Sequence, residues 1–420
     1  MNNKTKDVLP LLITLFWAFI SVDELLCGYY RARYFRLFFL IVILLYIAIY
    51  YKGERFSKDH LAIAWGITII PTLYSIAFNV NITNIEYLVV YSFSIILLFA
   101  KLNSLNVFEK MFKIIETIGL FHAFGIILEK LFPALFAKYI YTRYPEEMFG
   151  RLTHAYYMTG FQREVAFVSA YIIAALGVCI YYNKSSRTNR FKITFLIIAL
   201  ILTNKRAFTI FPVMAFAIEY SIWHRLRINK KMITSCVGVL IVVVICCIVF
   251  KDKIEQMSII QRMTATLEAA EEGEDVMTGR GVLWEASFQL FLQKPILGIG
   301  WRKTEDLIRL IVYSSIPLSS HNIYIQLLTE TGLVGIVIYL RAFINTLKHS
   351  IQCDLNPCTT NDNFDTIGII RYSLYYQLFF FLYGITGVNY VDRPYLVMLI
   401  ISVFFLINAK KISSQTKVDI

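Results

Sequence analysis

Long apolar runs recur along the whole chain, and they constrain its fold more than any other feature of the sequence. A run of about 15 to 20 mainly apolar residues is long enough to cross roughly 30 Å of hydrocarbon as an α-helix. The composition agrees, because 57% of the 420 residues are hydrophobic and only 17% are charged. Soluble domains carry about 25% charged residues. The sequence therefore predicts one polytopic membrane domain over residues 1–420.

About twelve such spans are predicted, and the seventh is short. They run approximately over Val8–Val22, Leu37–Tyr51, Leu61–Asn79, Tyr87–Ala100, Met111–Leu128, Val165–Tyr182, Ile193–Thr203, Ala207–Trp223, Ile233–Phe250, Ile323–Leu347, Leu374–Val388 and Tyr395–Asn408. Asp23 and Glu24 follow the first span without a small-residue cleavage site, so we expect that span to be uncleaved. The predicted fold class is an all-α integral membrane protein.

Lysine and arginine concentrate in short loops on one side of these spans. The basic residues are Lys52, Arg55 and Lys58; Lys184, Arg187, Arg190 and Lys192; and Arg225, Arg227, Lys230 and Lys231. Since short cytoplasmic loops carry an excess of basic residues, this side is predicted to be the cytoplasm, with both termini on it. The net charge of +12 then reflects basic loops beside anionic lipid, and no nucleic-acid partner is predicted.

The segment between the ninth and tenth spans, residues 251–320, is predicted to be a long extracytoplasmic loop. At about 70 residues it is too long for a simple connector and should carry its own structure. Near 282–293, Leu283, Ala286, Leu290 and Gln293 share one helical face, and Lys294-Pro295 ends the pattern. This pattern predicts an amphipathic helix at the outer membrane face.

Basic residues are disfavoured on the outer side of the membrane, so those that occur there call for a structural or functional explanation. The arginines placed outside are Arg151, Arg163, Arg206, Arg280, Arg302 and Arg309. Planar guanidinium groups suit an anionic, phosphate-bearing ligand. The alternative is pairing with a nearby acid, which we favour for Arg302 and Arg309 beside Glu305 and Asp306. Arg206 differs, since it lies in a very short hairpin with no acid close in sequence.

A second concentration of polar residues opens the tenth span. Asn322, Gln326 and Glu330 are spaced four apart and share one helix face. Polar side chains at membrane depth are a functional hypothesis by default. His321 stands just above that face, where an imidazole can exchange protons near neutral pH. No metal-ligand spacing occurs, so neither a metal site nor a cofactor is predicted.

These features together resemble the O-antigen ligase and polymerase superfamily of polytopic membrane glycosyltransferases. The resemblance covers roughly Gly160 to Leu340. It rests on the Arg206 hairpin, on Gly279-Arg280 with Trp284 and the Lys294–Gly300 run, on His321-Asn322 with Gln326, Glu330 and Gly332, and on the long exterior loop. One departure is Asn204-Lys205-Arg206, where many members have a small hydroxyl residue before the arginine.

The resemblance implies transfer of a glycan from an undecaprenyl diphosphate carrier to an acceptor hydroxyl outside the cytoplasm of a bacterium, without nucleotide or metal. Carried onto matching positions, Arg206 and Arg280, with Arg163, would bind the diphosphate, and His321 would activate the acceptor hydroxyl. Asn322, Gln326 and Glu330 would support the site. The partners implied are the lipid-linked oligosaccharide and an acceptor glycan, with a flippase and a chain-length regulator as further candidates.

Our interpretation is a polysaccharide polymerase of the inner membrane that joins lipid-linked repeats. Two alternatives stay open. A ligase that passes the glycan to lipid A core would use the same residues. A flippase or other transporter of lipid-linked oligosaccharide also needs polar residues in a helical bundle, but the sequence lacks a repeat between its halves, and the arginines and histidine lie on one side only.

Overall fold

A computed structural model describes residues 8–50, 58–100, 102, 106–144, 157–183, 186–224, 280–313, 318–355 and 364–415. Within these ranges the regular structure is helical, as the sequence predicts. The helices are α1 (Val8–Ile20), α2 (Asp23–Cys27), α3 (Tyr29–Tyr50), α4 (His60–Ile67), α5 (Ile69–Ala77), α6 (Ile82–Leu98), α7 (Asn106–Leu131), α8 (Pro133–Tyr139), α9 (Val165–Tyr181), α10 (Arg187–Leu202), α11 (Arg206–Trp223), α12 (Arg280–Gln293), α13 (Lys303–Ile311), α14 (Ile323–Leu355), α15 (Phe364–Gly384) and α16 (Arg393–Gln415).

Four stretches of helix in the described ranges are long and apolar enough to cross a membrane. They are Tyr29–Tyr50, His60–Ala77, Asn106–Leu131 and Ile323–Cys353. Shorter apolar helices cover Val8–Ile20, Ile82–Leu98, Val165–Tyr181 and Arg393–Ala409. Several features predicted from the sequence lie outside the described residues. They are the ninth span, the basic residues at positions 52, 55, 184 and 225–231, Arg151, and residues 251–279 of the exterior loop.

Helix α3, which corresponds to the second predicted span, begins eight residues before that span. Residues 29–36 include three arginines, which lower the local hydropathy and hid the start of α3 in the sequence. In the structure Arg36 is buried, with its Nε 3.2 Å from Asp23 Oδ2 and 3.1 Å from Glu86 Oε1. Burying an arginine is tolerated here because carboxylates from two other segments pair with it. Those partners are distant in sequence, so a local hydropathy pattern could not reveal them.

The predicted third span is two helices, α4 and α5, that meet at Thr68. Pro71 lies in the first turn of α5, where its ring lacks an N–H and crowds the carbonyl four residues earlier. The hydroxyl of Thr68 donates to the carbonyl of Trp65 (2.5 Å) and ends α4. The chain nevertheless continues in one direction, so His60–Ala77 still forms one membrane-length element.

Helix α14 is broken at Gly332, which has a φ of 66° and a ψ of −170°. A loop, and not a neighbouring helix, fills the place beside Gly332. A Cβ on Gly332 would collide with the carbonyl of Ile296, and one on Gly298 would collide with the backbone of Glu330. The two glycines therefore allow two backbones to touch.

Four backbone hydrogen bonds join this loop, residues 295–301, to the break in α14. The N–H groups of Ile299 and Gly300 donate to the carbonyls of Thr329 (3.0 Å) and Glu330 (3.1 Å). From the other side of the break, residues 333 and 334 donate to the carbonyls of residues 295 and 296 at 2.8 and 3.2 Å. The loop thus replaces the helical hydrogen bonds that the break removes, as a backbone at membrane depth requires. We call residues 295–301 the clamp.

Helix α12 matches the predicted amphipathic helix only in part. Leu283, Ala286 and Leu290 are buried, as expected, against Ile299 and Ile308. Gln293, which was predicted to share that face, is exposed at the end of the helix. The helix packs one side on α13 and α14. The described residues leave the rest of its surface uncovered, and that surface is also apolar, with Val282, Phe288 and Leu292 exposed.

Candidate active site

The loops at one end of the bundle are tied together by long-range hydrogen bonds. The indole of Trp17 donates to the carbonyl of Pro394 (2.9 Å), the hydroxyl of Tyr87 to that of Tyr390 (2.8 Å), and the indole of Trp284 to that of Ser320 (2.9 Å). The segments that precede α9, α14 and α16 and the start of α12 therefore lie at one end. Every predicted site residue except Gln326 and Glu330 lies in these segments or at the start of a helix there.

A cavity of about 570 Å³ opens at this end, which we call the histidine cavity. Such a volume is typical of ligand pockets, about 300–1,000 Å³. Its charged and titratable lining consists of Glu24, Arg36, Arg163, Glu164, Lys205, Arg302, Glu305, His321, Asp392 and Arg393. His321 and Arg163, far apart in sequence, are thus brought together as the sequence analysis proposed.

His321 is exposed to the histidine cavity and has a φ of 48°. A left-handed backbone is uncommon for residues other than glycine, although histidine adopts it more readily than most. The neighbours hold this conformation: the hydroxyl of Ser320 donates to the carbonyl of Asn322 (2.9 Å), and Trp284 binds the Ser320 carbonyl. Strained residues held in this way are frequent at functional sites.

Asn322 has a structural task that the sequence analysis did not assign. Its Oδ1 accepts from the N–H groups of Tyr324 (3.0 Å) and Ile325 (3.1 Å), so it caps the N-terminus of α14. A cap satisfies helix N–H groups that have no intrahelical partner. By fixing the first turn of α14, Asn322 also fixes the position of His321 directly before it.

Gln326 and Glu330 are fully buried and bonded to each other, with the Gln326 Nε2 donating to Glu330 Oε1 at 3.0 Å. The Glu330 carboxyl lies beside the backbone N–H of Arg302 and the side chain of Thr304. Neither residue lines the histidine cavity. The polar face of α14 is therefore directed at the segment after the clamp, below the cavity, and only His321 of this motif reaches the cavity itself.

Arg206 and Arg280 lie close enough for their charges to interact. Arg206 begins α11 directly after Lys205, which lines the histidine cavity, and Arg280 begins α12. Burial lowers the pKa of Arg280, and the positive charge of Arg206 lowers it further. Among the described residues no carboxylate pairs with Arg280 within 4.0 Å. Two like charges placed together in this way favour an anionic ligand between them.

The hairpin before Arg206 explains why an asparagine at position 204 is suitable there. The φ of Asn204 is 56°, a left-handed conformation that asparagine tolerates better than most residues. The hydroxyl of Thr203 ends α10 by donating to the carbonyl of Leu200 (2.6 Å). This reversal takes only residues 203–205, so Arg206 is fixed at the first position of α11.

Arg163 lines the histidine cavity but already has partners. Its Nε lies 3.4 Å from Glu24 Oε2, its Nη1 lies 3.3 Å from the Tyr29 hydroxyl, and its guanidinium stacks 4.9 Å from the Phe167 ring centroid. Arg302 is paired with Glu305 at 3.3 Å, as expected from their spacing. Both arginines can face a ligand in this cavity, and the neighbouring carboxylates neutralise part of their charge. Arg206 and Arg280 do not line the cavity themselves.

Asp392 and Arg393 line the histidine cavity, and sequence reasoning missed both. Burial raises the pKa of Asp392 to about 7, and the charge of Glu164 adds to that rise. Arg393 Nη2 lies 3.1 Å from Glu86 Oε2. The only signal in the sequence is an Asp-Arg-Pro at the start of the last span, on the side predicted to be exterior.

Residues 191–340, which include Arg206, Arg280 and His321, match the family model described as O-antigen ligase. This part of the chain is therefore similar to an O-antigen ligase. The match confirms the predicted resemblance to the O-antigen ligase and polymerase superfamily. No curated protein matches the chain.

The match to this family model also supports the general class predicted from the sequence. Members of this family are membrane glycosyltransferase-like enzymes, and the helices described above make this chain an integral membrane protein. The matched segment begins in α10, just before the Arg206 hairpin, and ends in α14 after the clamp. It therefore contains the arginine pair, the clamp and His321.

Proposed function

We propose that this protein polymerises lipid-linked oligosaccharide repeats at the extracytoplasmic face of the inner membrane. The observation that carries the proposal is the histidine cavity with His321 exposed in it and the Arg206–Arg280 pair beside it. A glycan held on a lipid diphosphate supplies the anion that this pair favours, and an acceptor sugar supplies the hydroxyl that a base can activate.

The proposed reaction moves one glycosyl group. The acceptor hydroxyl attacks the anomeric carbon of the donor, a new glycosidic C–O bond forms, and the bond from that carbon to the diphosphate oxygen breaks. His321 accepts the hydroxyl proton. The departing lipid diphosphate gains negative charge, which Arg206 and Arg280 stabilise more strongly in the transition state than in the bound donor.

A reconstitution experiment tests this proposal. Purified protein in liposomes should join undecaprenyl-diphosphate-linked repeats without added nucleotide, and a chelator should not slow the reaction. His321→Ala should lower turnover by roughly 10² to 10⁴, the usual contribution of a general base. His60→Ala is a matched control, because His60 is exposed and contacts His349 far from the histidine cavity.

Two results would contradict the proposal. If no glycosidic bond forms while lipid-linked repeats cross the bilayer, the protein is a transporter. If His321→Ala reacts at the wild-type rate, the base lies elsewhere, and Glu164 in the same cavity is the next candidate.

Ligation to a terminal acceptor is the second candidate, because the matched family model is described as a ligase. It uses the same chemistry at the same cavity and differs only in the acceptor. Adding lipid A core together with lipid-linked repeats separates the two. A polymerase lengthens the glycan on the carrier, whereas a ligase moves it to the lipid A core.

A further inference from the structure

A second cavity of about 470 Å³ adjoins the histidine cavity, and the proposed function gives it no task. The two share the wall formed by Glu24, Arg36, Arg163, Arg302 and Arg393. Beyond that wall the second cavity is lined by the ends of α3, α5 and α6, with Tyr30, Arg33, Asn79, Asn81, Thr83 and Asn84. We call it the asparagine cavity.

Amide and hydroxyl groups dominate the far side of this cavity. Asn84 is 1% exposed, and its Nδ2 donates to the carbonyl of Asn79 at 2.8 Å. Its Oδ1 is buried and accepts no hydrogen bond from the described residues. An unsatisfied buried acceptor is costly, so a ligand that donates a hydrogen bond here would be favoured. Asparagine and threonine side chains both donate and accept, which suits a ligand rich in hydroxyl groups.

Five arginines and four carboxylates line the asparagine cavity, so its charges nearly cancel. Arg36 and Arg393 each lie 3.1 Å from Glu86, and Arg163 and Arg302 are paired with Glu24 and Glu305. This differs from the Arg206–Arg280 pair, where two cations repel each other. A nearly balanced wall offers hydrogen bonds with little net attraction for anions, so a neutral polyhydroxyl ligand fits better than a phosphate.

Tyr30 provides an aromatic surface at the rim of this cavity. Its side chain is 75% exposed, and its ring contacts that of Tyr29 edge to face, with centroids 5.2 Å apart. An exposed ring beside hydrogen-bonding groups can cover the apolar face of a sugar ring while its hydroxyl groups reach the amides.

We propose that the asparagine cavity binds the acceptor glycan and directs its terminal hydroxyl through the shared wall to His321. This inference rests on the proposed function and names the place of its second substrate. The arginine pair lies beside Lys205 and Tyr383, which line the histidine cavity but not the asparagine cavity. The donor diphosphate and the acceptor sugars would thus approach His321 from two sides, as transfer between two glycans requires.

Saccharide binding by the purified protein tests this inference without any requirement for turnover. The probe is the free oligosaccharide repeat, released by mild acid from lipid-linked repeats that accumulate in cells lacking this gene. Its binding is followed by saturation-transfer NMR. We expect wild type and His321→Ala to bind it equally, because His321 lies outside the asparagine cavity.

Two pairs of variants locate the bound saccharide. Thr83→Trp fills the asparagine cavity and should abolish binding, whereas Ile85→Trp lies on the same helix, outside the cavity, and should not. Tyr30→Ala should weaken binding by about tenfold, and Tyr34→Ala, 71% exposed one turn along α3 and also outside the cavity, should leave it unchanged. If Thr83→Trp is not folded by its melting curve, the Tyr30 and Tyr34 pair decides alone.

Equal binding by both members of the deciding pair, or no binding to wild type, would overturn the inference. Competition by undecaprenyl diphosphate would do so too, because the saccharide would then occupy the phosphate side. The proposed function is judged separately, by bond formation in liposomes. A protein that polymerises but does not bind the saccharide in this cavity refutes only the acceptor site.

Discussion

Asp392 places a carboxyl group in the histidine cavity whose charge changes near neutral pH. Its pKa is raised to about 7, first by burial and then by the charge of Glu164, while Arg163, Lys205 and Arg302 oppose the rise. Below this pKa the carboxyl is neutral, so the cavity is more positive. Above it the carboxylate competes with an anionic ligand for the same cations.

We therefore expect the donor lipid to bind about three- to tenfold more tightly at pH 6 than at pH 8, equivalent to roughly 0.7–1.4 kcal/mol. The measurement is the donor Kd in the His321→Ala background, which removes titration of the imidazole. Adding Asp392→Asn should give tight binding at both pH values. A pH dependence that survives in the double variant would assign the effect to another group.

Removal of either arginine of the Arg206–Arg280 pair should slow the proposed reaction. Arg206→Ala or Arg280→Ala should each lower the rate about 30- to 1,000-fold, because a lost contact to a developing anion costs roughly 2–4 kcal/mol. Lysine should rescue poorly, since a point charge cannot bind in a bidentate way. Polymer length and initial rate in liposomes provide the measurement. Arg309→Ala is the control, because Arg309 lies outside both cavities, and near-normal rates in both test variants would remove this role.

Some of these residues could be predicted from the sequence and some could not. Arg206 and His321 stood out because a basic residue in a very short exterior hairpin and a histidine above a polar helix face are both unusual. Asn322 is a frequent type of helix cap, and that rule would have assigned it correctly. The raised pKa of Asp392 could be recognised only from the structure. The charged groups around it, Arg163, Lys205 and Arg302, are far away in sequence.

At the scale of elements, the clamp determines where the two parts of α14 lie. Gly298 has a φ of 75° and touches the backbone of Glu330, so both its conformation and its contact exclude a side chain. The sequence analysis named the Lys294–Gly300 run and Gly332 only as parts of the resemblance. The pairing of a loop with a broken helix has no short-range pattern, because its partners lie thirty or more residues apart.

Gly298→Ala should destabilise the protein by at least about 2 kcal/mol, through a strained backbone and a collision that neither backbone can avoid. Gly281→Ala is the matched control. It lies in α12 with nothing within 4 Å of the added methyl group, and helix propensity favours alanine by up to about 1 kcal/mol. Thermal unfolding in detergent should show a lower Tm for the first variant and an unchanged or higher one for the second. Equal Tm values would show that the clamp contributes no stability.

At the scale of the whole molecule, hydropathy located most of the described apolar helices, because they are apolar along much of their length. It placed the ends less well where charges pair across helices, as in α3, or where proline divides a span, as at Pro71. The helix ends separate into two groups. Two contacts mark the end opposite the cavities. The rings of His60 and His349 touch there, and the N–H of Leu102 donates to the side chain of Asn408 (3.2 Å).

We expect the cavity end to face outward and both termini to lie in the cytoplasm. A cysteine at Tyr313, 96% exposed near the cavity end, should react with an impermeant maleimide in spheroplasts, whereas one at exposed Lys348 should react only after the membrane is opened. All seven native cysteines are replaced by serine in both variants. The reverse pattern would place the site away from its proposed substrate.

The broken α14 also bears on how the chain enters the membrane during synthesis. A segment that leaves the translocon alone would carry the carbonyl groups of Thr329 and Glu330 into lipid without donors, at a cost of several kcal/mol for each group. Residues 295–301 have left the ribosome before α14, so their N–H groups are already present. We therefore expect release of this segment into lipid to wait for its upstream partner, which makes biogenesis of the protein sensitive to any change that delays folding of the loop.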